Sequence, residues 1–298
     1  MADREEEKEL QEIQDKGITL VPVGGIACRI RTIASMIYLA EKYQRPLEIL
    51  WHSGELMPLP TDRLFTLVPR LQGKRITVRQ FKRRDHLINT PPMPQNLYLT
   101  FPFTSLRYDR VLSPKRVESL LGGQRHNLEE WIKDRDKSLL IATDQPLGKF
   151  DNMYEVLEPT VEVNNVLLSS MASWKGRVIG VHINRRINPQ TTHNESPIEL
   201  FIKRMQEMIE QDNDVEFFIA TTSKDERERL AAIFRNRVYV PQTATDPHTL
   251  KGVIQSLGEL LALSHTERIL TTPGSNYSQV ASEVGDIPLE PLSIYANK

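Results

Sequence analysis

With 298 residues, 39% hydrophobic and 26% charged, the chain is long enough for two ordinary globular cores, and its formal net charge of -1 excludes the basic excess on which generic nucleic-acid binding depends. Its one cysteine, Cys28, excludes an internal disulfide or a multi-cysteine zinc site and fits a reducing, cytoplasmic compartment. No stretch approaches the ~18 apolar residues that span a bilayer.

Met1 to Lys16 is dominated by Glu, Asp and Lys, with Leu10 and Ile13 its only large apolar residues. It reads as a solvated, fraying helix over 1–16, neither a signal peptide nor an anchor. Ile18 to Val23 is the first expected strand, turned by Gly24-Gly25 into a helix over about Ala27 to Gln44. Ile30, Ile33, Ala34, Ile37, Tyr38 and Ala40 recur there at near-helical period. A second strand, Leu47 to Trp51, completes a β-α-β unit. The two glycines permit close approach of a ligand or of a partner domain. Arg29 and Arg31 stand in the first turns of the helix, where a cation opposes the dipole. A ligand anion or an acidic interdomain partner would account for them, as would plain surface placement.

From Ser53 to Phe103 the pattern loosens, with seven prolines and a basic cluster of Lys74, Arg75, Arg79, Lys82, Arg83 and Arg84. Without interleaved aromatics the cluster reads as a solvated edge rather than an acceptor surface. Helices over Ser113 to Leu121 and around Leu128 to Lys133 and a strand over Leu139 to Ala142 follow; Gly148 to Pro159 reads as the connection between domains.

The second half opens with a helix over Val161 to Ser170 and then Val178-Ile179-Gly180-Val181-His182-Ile183-Asn184-Arg185-Arg186, an apolar run ending in a histidine, an amide and two guanidiniums. Such a run suits a parallel strand covered on both faces, whose carboxyl end is where open α/β sheets bind ligands. Two arginines there suggest a phosphate, which the planar fork can hold at two oxygens; a solvated loop edge is the alternative. Ser196-Pro197-Ile198-Glu199 supplies the serine, proline and early acid of a helix start, with the helix running to about Gln211. Strands Val215 to Ala220, Val238 to Val240 and Arg268 to Thr271 alternate with helices Lys224 to Phe234, Thr249 to Ser264 and Tyr277 to Val284. This is a Rossmann-like parallel arrangement.

There is no G-x-G-x-x-G and no Gly-Lys-Ser/Thr loop, which argues against an NAD or flavin oxidoreductase and a P-loop enzyme. Asp134/Asp136 and Asp212/Asp214 each precede a strand, at the edge opposite the ligand crevice, so no metal is expected at either pair. No H-E-x-x-H and no G-x-S-x-G occurs.

Four segments in one order resemble a known family. Gly24-Gly25-Ile26-Ala27-Cys28-Arg29-Ile30 is similar to the Gly-Gly-Leu-Gly-Asn-Arg-Leu opening of the fucosyltransferases typified by the rhizobial nodulation enzyme and the eukaryotic core α1,6-fucosyltransferase. Val181-His182-Ile183-Asn184-Arg185 resembles their Val-His-Val-Arg-Arg strand end, and Phe217-Phe218-Ile219-Ala220-Thr221-Thr222 their aromatic-Leu-Ala-Thr-Asp strand. Glu259 to Ser264 and then Gly274 to Val280 resemble their Asp-containing helix and Ser-Gln-Val turn.

The resemblance implies a GT-B-like α/β fold, two Rossmann-like domains with parallel sheets facing across a cleft. It assigns 17–158 to the acceptor-side domain and 159–298 to the nucleotide-sugar-binding domain. It also implies an inverting, metal-independent transfer of fucose from GDP-fucose, a donor substrate with no cofactor, to a glycan or other hydroxyl-bearing acceptor. Carried onto this chain, it makes Arg185 the chief diphosphate clamp with Ser278, and His182 and Glu259 the guanine contacts. Asn184, Arg186, Thr222, Ser275 and Gln279, with Gly24, Gly25 and Arg29 in the first half, complete the donor-binding candidates. Asn184 replaces an Arg of the family, Thr222 and Glu259 each replace an Asp, and Thr192 falls where core-fucosylating members place an acid. His193 and Glu195 are therefore the candidates for taking the acceptor proton. On this reading Arg185→Ala abolishes turnover and leaves the fold intact. The departures motivate an alternative: a non-catalytic nucleotide-sugar-binding or interaction protein on the same fold, or a transferase with another nucleotide-sugar donor.

Overall fold

The computed structural model describes residues 16–54, 57–71, 75–82, 85, 106–123, 125–185, 194–241, 246 and 248–295. The chain divides into two compact units, Met1–Pro159 and Thr160–Lys298. No helix among the described residues is long and apolar enough to cross a membrane.

The first unit contains β1 (Ile18–Pro22), α1 (Ile26–Lys42), β2 (Leu47–Trp51), β3 (Phe65–Leu67), β4 (Ile76–Gln80), β5 (Arg110–Leu112), α2 (Pro114–Gly123), α3 (Arg125–Lys133), β6 (Leu139–Thr143) and β7 (Leu157–Pro159). Five of its strands form a parallel sheet in the order β4-β2-β1-β6-β5. All five residues of β1 and of β6 are buried, as a strand covered on both faces requires. Gly24 has φ +81°, the left-handed turn that swings β1 into α1 without a Cβ penalty.

The fold departs from the sequence reading in the loosened region. Ile76 to Gln80 is an edge strand there, its short Ile-Thr-Val alternation hidden among basic residues. The stretch expected to connect the domains ends at the boundary between the two units and is itself structured: Met153–Val156 makes a 3₁₀ turn, and β7 pairs antiparallel with β3. Of the basic cluster, Arg79 is no solvated edge. It donates to Glu48 at 2.6 Å and to both oxygens of Asp85 at 2.6 and 3.0 Å, and Asp85 is fully buried. Lys74, Arg83 and Arg84 lie outside the described residues, as do 1–15 of the expected N-terminal helix.

The second unit contains α4 (Val161–Met171), β8 (Val178–Ile183), α5 (Ile198–Gln211), β9 (Glu216–Thr221), α6 (Lys224–Phe234), β10 (Val238–Tyr239), α7 (Leu250–Ser264), β11 (Ile269–Thr271), α8 (Asn276–Gly285) and β12 (Leu289–Pro291). Its parallel sheet runs β10-β9-β8-β11-β12. Every residue of β8 is buried; Val181 and Ile183 join Phe201, Met205, Phe217 and Leu230 in one core. On α7, a Cβ built at Gly258 would stand 2.4 Å from Val166 Cγ1 and 3.1 Å from the Val163 carbonyl oxygen of α4, so the two helices meet where one has no side chain. Thr160, Ser223 and Thr249 cap α4, α6 and α7, each accepting from a backbone N–H three residues on.

Because that crossing has no room, Gly258→Ala should destabilise the protein by about 1–3 kcal/mol. Gly122→Ala, on α2 where nothing lies within 4 Å of the added carbon, should be neutral or stabilising by about 0.5–1 kcal/mol. Thermal melting of the two variants checks the contrast; equal melting temperatures would mean that α7 and α4 are not in tight contact.

Candidate functional site

In the second sheet the chain proceeds from β8 to β9 and β10 on one side, then crosses back to β11 and β12 on the other. The carboxyl ends of β8 and β11 therefore form the topological switch point, the place where such sheets leave a crevice. Thr271 pairs with His182 in register, so whatever follows each strand meets there.

His182 is 8% exposed, with its Nδ1 3.0 Å from Ser278 Oγ and 3.2 Å from Ser275 Oγ. Its ring stacks on Tyr277 at 4.7 Å. Burial pushes its pKa down to about 3, so the imidazole is neutral at working pH. Ser278 is itself fully buried and its hydroxyl also meets Thr271 Oγ1; the serine thus fixes the ring. Asn184 ties the two strand ends together, its N–H donating to Thr272 Oγ1 at 3.1 Å and its side-chain amide to Ser275 Oγ at 3.4 Å. Ser275 also begins α8, whose first-turn N–H groups have no intrahelical acceptors and favour anions.

Glu259 lies on α7, partly buried, accepting from Gln255 Nε2 at 2.8 Å. Burial raises its pKa to about 7, against the opposing hydrogen bond from Gln255 and the charge of Arg227. The Tyr277 phenol is raised well above its ordinary value, by burial first and by the nearby charge of Glu259 second; its hydroxyl donates to the Ser256 carbonyl.

Arg185 is held more firmly than a loop-edge cation. Its Nε and Nη2 both donate to Glu226 Oε1, at 2.8 and 2.6 Å, and Nη1 donates to the Ser196 carbonyl at 2.8 Å. The two charged side chains are 11% and 7% exposed. Glu195 adjoins Ser196, so Arg185 braces the segment that carries that candidate base. Replacing Arg185 by alanine would remove these three bonds and the cation facing the buried Glu226 carboxylate, so it should lower stability by about 3–5 kcal/mol as well as turnover.

The other candidates are placed less centrally. Thr222 is exposed in the turn between β9 and α6. Gln279 is exposed on α8, its amide 3.3 Å from Glu283 Oε1. Arg186, Thr192 and His193 lie outside the described residues. Gly24, Gly25 and Arg29 belong to the first unit, at the turn from β1 to α1. Arg29 is 5% exposed there, donating to the carbonyls of Gly24 and His52 at 2.9 and 2.8 Å over the Trp51 ring. Burial lowers its pKa to about 10, which leaves it charged.

Asp134 is paired with Arg110 at 3.3 Å and Asp212 with Arg177 at 2.7 Å. Among the described residues no three His, Cys, Asp or Glu side chains cluster as a metal site requires. Sequence reasoning missed Tyr277, Thr271, Thr272 and Glu226. The first three read as ordinary helix and strand-end residues. Glu226 stands three residues after Ser223, the pattern of a helix cap, and that local reading concealed its partner.

No protein-family model matches the chain, and no curated protein matches it in sequence. Solved structures do match it. NodZ alpha-1,6-fucosyltransferase soaked with GDP-fucose superposes with a TM-score of 0.61 at 14% identity, covering 90% of this chain and 92% of that one. NodZ from Bradyrhizobium gives 0.60 at 14% identity, over 89% and 92%. A variant of FUT1 from Arabidopsis thaliana in complex with GDP gives 0.60 at 12% identity, over 96% and 74%. At these identities the likeness is one of fold: this chain has the α/β fold of the GT-B fucosyltransferases.

Because the folded pKa of Glu259 lies above its ordinary 4.5, its contribution to stability is full below about pH 4.5 and is lost as pH rises toward 7. Melting curves of the wild type and Glu259→Gln should therefore diverge across pH 4.5–7, the variant gaining relative to wild type. Parallel curves would remove the burial of this carboxyl.

Proposed function

We propose that the protein is a glycosyltransferase, moving fucose from GDP-fucose to a hydroxyl acceptor with inversion and without a metal ion. The observation that carries the reading is the gathering of His182, Ser275, Asn184 and the start of α8 at the switch point, with Arg185 leaving the same strand end. NodZ soaked with GDP-fucose, NodZ co-crystallised with GDP and the FUT1 complex with GDP share the fold, and these names suggest the donor.

In this proposal the second unit binds the nucleotide and the first serves the acceptor. His182 and Glu259 address the guanine, whose N1–H and amino group suit a carboxylate acceptor. The α8 N-terminus and Arg185 address the diphosphate, with Asn184, Arg186, Thr222 and Gln279 as further donor contacts. The acceptor oxygen attacks the sugar C1 from the face opposite GDP, and the bond from C1 to the β-phosphate oxygen breaks. The acceptor proton passes to His193 or Glu195. As the sugar becomes cation-like, negative charge grows on the departing GDP, and Arg185 lowers the barrier by neutralising that charge, in place of a metal ion.

A second reading, nucleotide-sugar binding without catalysis, is favoured by one observation, the carboxylate already matched to Arg185. Transfer to any acceptor, or hydrolysis of a sugar nucleotide at an enzymatic rate, eliminates it.

The test begins with melting of the protein against GDP, GDP-fucose, UDP, ADP and NAD, without added metal. GDP and GDP-fucose at 100 times their dissociation constants should stabilise it by about 2.7 kcal/mol, and the others less. Stabilisation by another nucleotide alone would replace the donor, and no stabilisation by any would end the proposal. Arg185→Lys, which keeps a positive charge but not the forked geometry, should lower kcat by about 10²-fold or more with transfer unaffected by EDTA in the wild type. Unchanged kcat would remove Arg185 from the reaction.

A further inference from the structure

We infer that Glu226 is the charge-balancing and positioning residue for Arg185, holding the guanidinium in place while weakening its grip on a nucleoside diphosphate so that the product leaves. The inference rests on the functional reading above and adds a residue to that site.

The local sequence gives Glu226 a different task. Ser223-x-x-Glu226 is a capping-box pattern, in which the glutamate side chain returns to the serine N–H. Only half of that box forms. The Glu226 N–H donates to Ser223 Oγ at 3.4 Å, but the Ser223 N–H is taken by Thr221 Oγ1 at 3.2 Å. The Glu226 carboxylate crosses instead from α6 to the end of β8, where one oxygen receives two bonds from Arg185. The third bond, from Nη1 to the Ser196 carbonyl, fixes the plane of the guanidinium.

A carboxylate behind the guanidinium has two effects on an anion in front of it. It orients the N–H groups, and its charge offsets much of the attraction that Arg185 exerts. A diphosphate meets a pair of near-zero net charge with a directed set of donors. Orientation favours the transition state, in which charge grows on the leaving oxygen, while the weakened long-range pull spares the enzyme a tightly bound product.

The experiment measures GDP affinity by titration calorimetry for the wild type, Glu226→Gln, Arg185→Gln and the double variant, with melting curves of each. Glutamine keeps an oxygen to accept from Arg185 and removes the charge. Glu226→Gln should bind GDP at least about tenfold more tightly, since a unit negative charge is removed from behind the guanidinium in a partly buried site, with kcat and KM both falling as product release slows. Arg185→Gln should bind GDP more weakly than wild type, and adding Glu226→Gln should recover at least tenfold of that loss, an effect that helix capping alone would not produce. Equal or weaker GDP binding by Glu226→Gln overturns the inference. If that variant does not fold, the double variant decides, because it removes both charges of the pair together: failure to exceed Arg185→Gln overturns it equally. A wild type that binds GDP in either case leaves the functional reading standing. A wild type that binds none fails both.

Discussion

Burial of β8 on both faces is the constraint from which the second unit follows. A strand without a solvent face must be apolar until it leaves the sheet, so its first polar side chains appear together at its end. That end lies at the switch point, where β11 arrives in register and delivers Thr271, Thr272 and the start of α8. His182 is the last polar group still inside, and it stays neutral because its neighbours are two serine hydroxyls and an aromatic ring rather than charges. Arg185, three residues later, is far enough out to need a counter-charge of its own.

Arginine recurs as the means of closing loose chain in both units. Arg45 is 2% exposed and donates to the carbonyls of Lys16, Ile132, Asp134 and Lys137, gathering the amino-terminal edge of the first sheet. Arg29 does the same at the opposite edge with Gly24 and His52. Carbonyls released from regular structure need donors, and a guanidinium supplies several in fixed geometry. A buried arginine is therefore as readily explained by backbone acceptors as by a ligand, and residue type alone could not separate Arg29 from Arg185.

Most strands and helices were legible because their apolar periods are long and clean; β1, β2, β8, α6 and α7 fall within a residue or two of the sequence reading. β4 and β5 were not, since edge strands of three to five residues carry mixed polar sequence and gain their identity only from a neighbour. In the site, the strand end and the serines of α8 were readable from order along the chain. Tyr277 and Glu226 were not, because each satisfies a local rule, helix face or helix cap, while its decisive contact lies far away in sequence. The part Arg185 plays in stability was hidden for the same reason: its carboxylate partner stands about forty residues further along the chain.

The crossing of α7 over α4 has a consequence for the growing polypeptide. Val163 and Val166 have their partner at Gly258, about ninety residues further along, and at about 5–20 residues per second α4 waits several seconds for α7 to be made. During synthesis the side of α4 that faces α7 therefore stays open until that neighbour arrives. Glu259, beside that glycine, reaches its place in the same docking step, and Thr271 to Ser278, which complete the site, follow it along the chain.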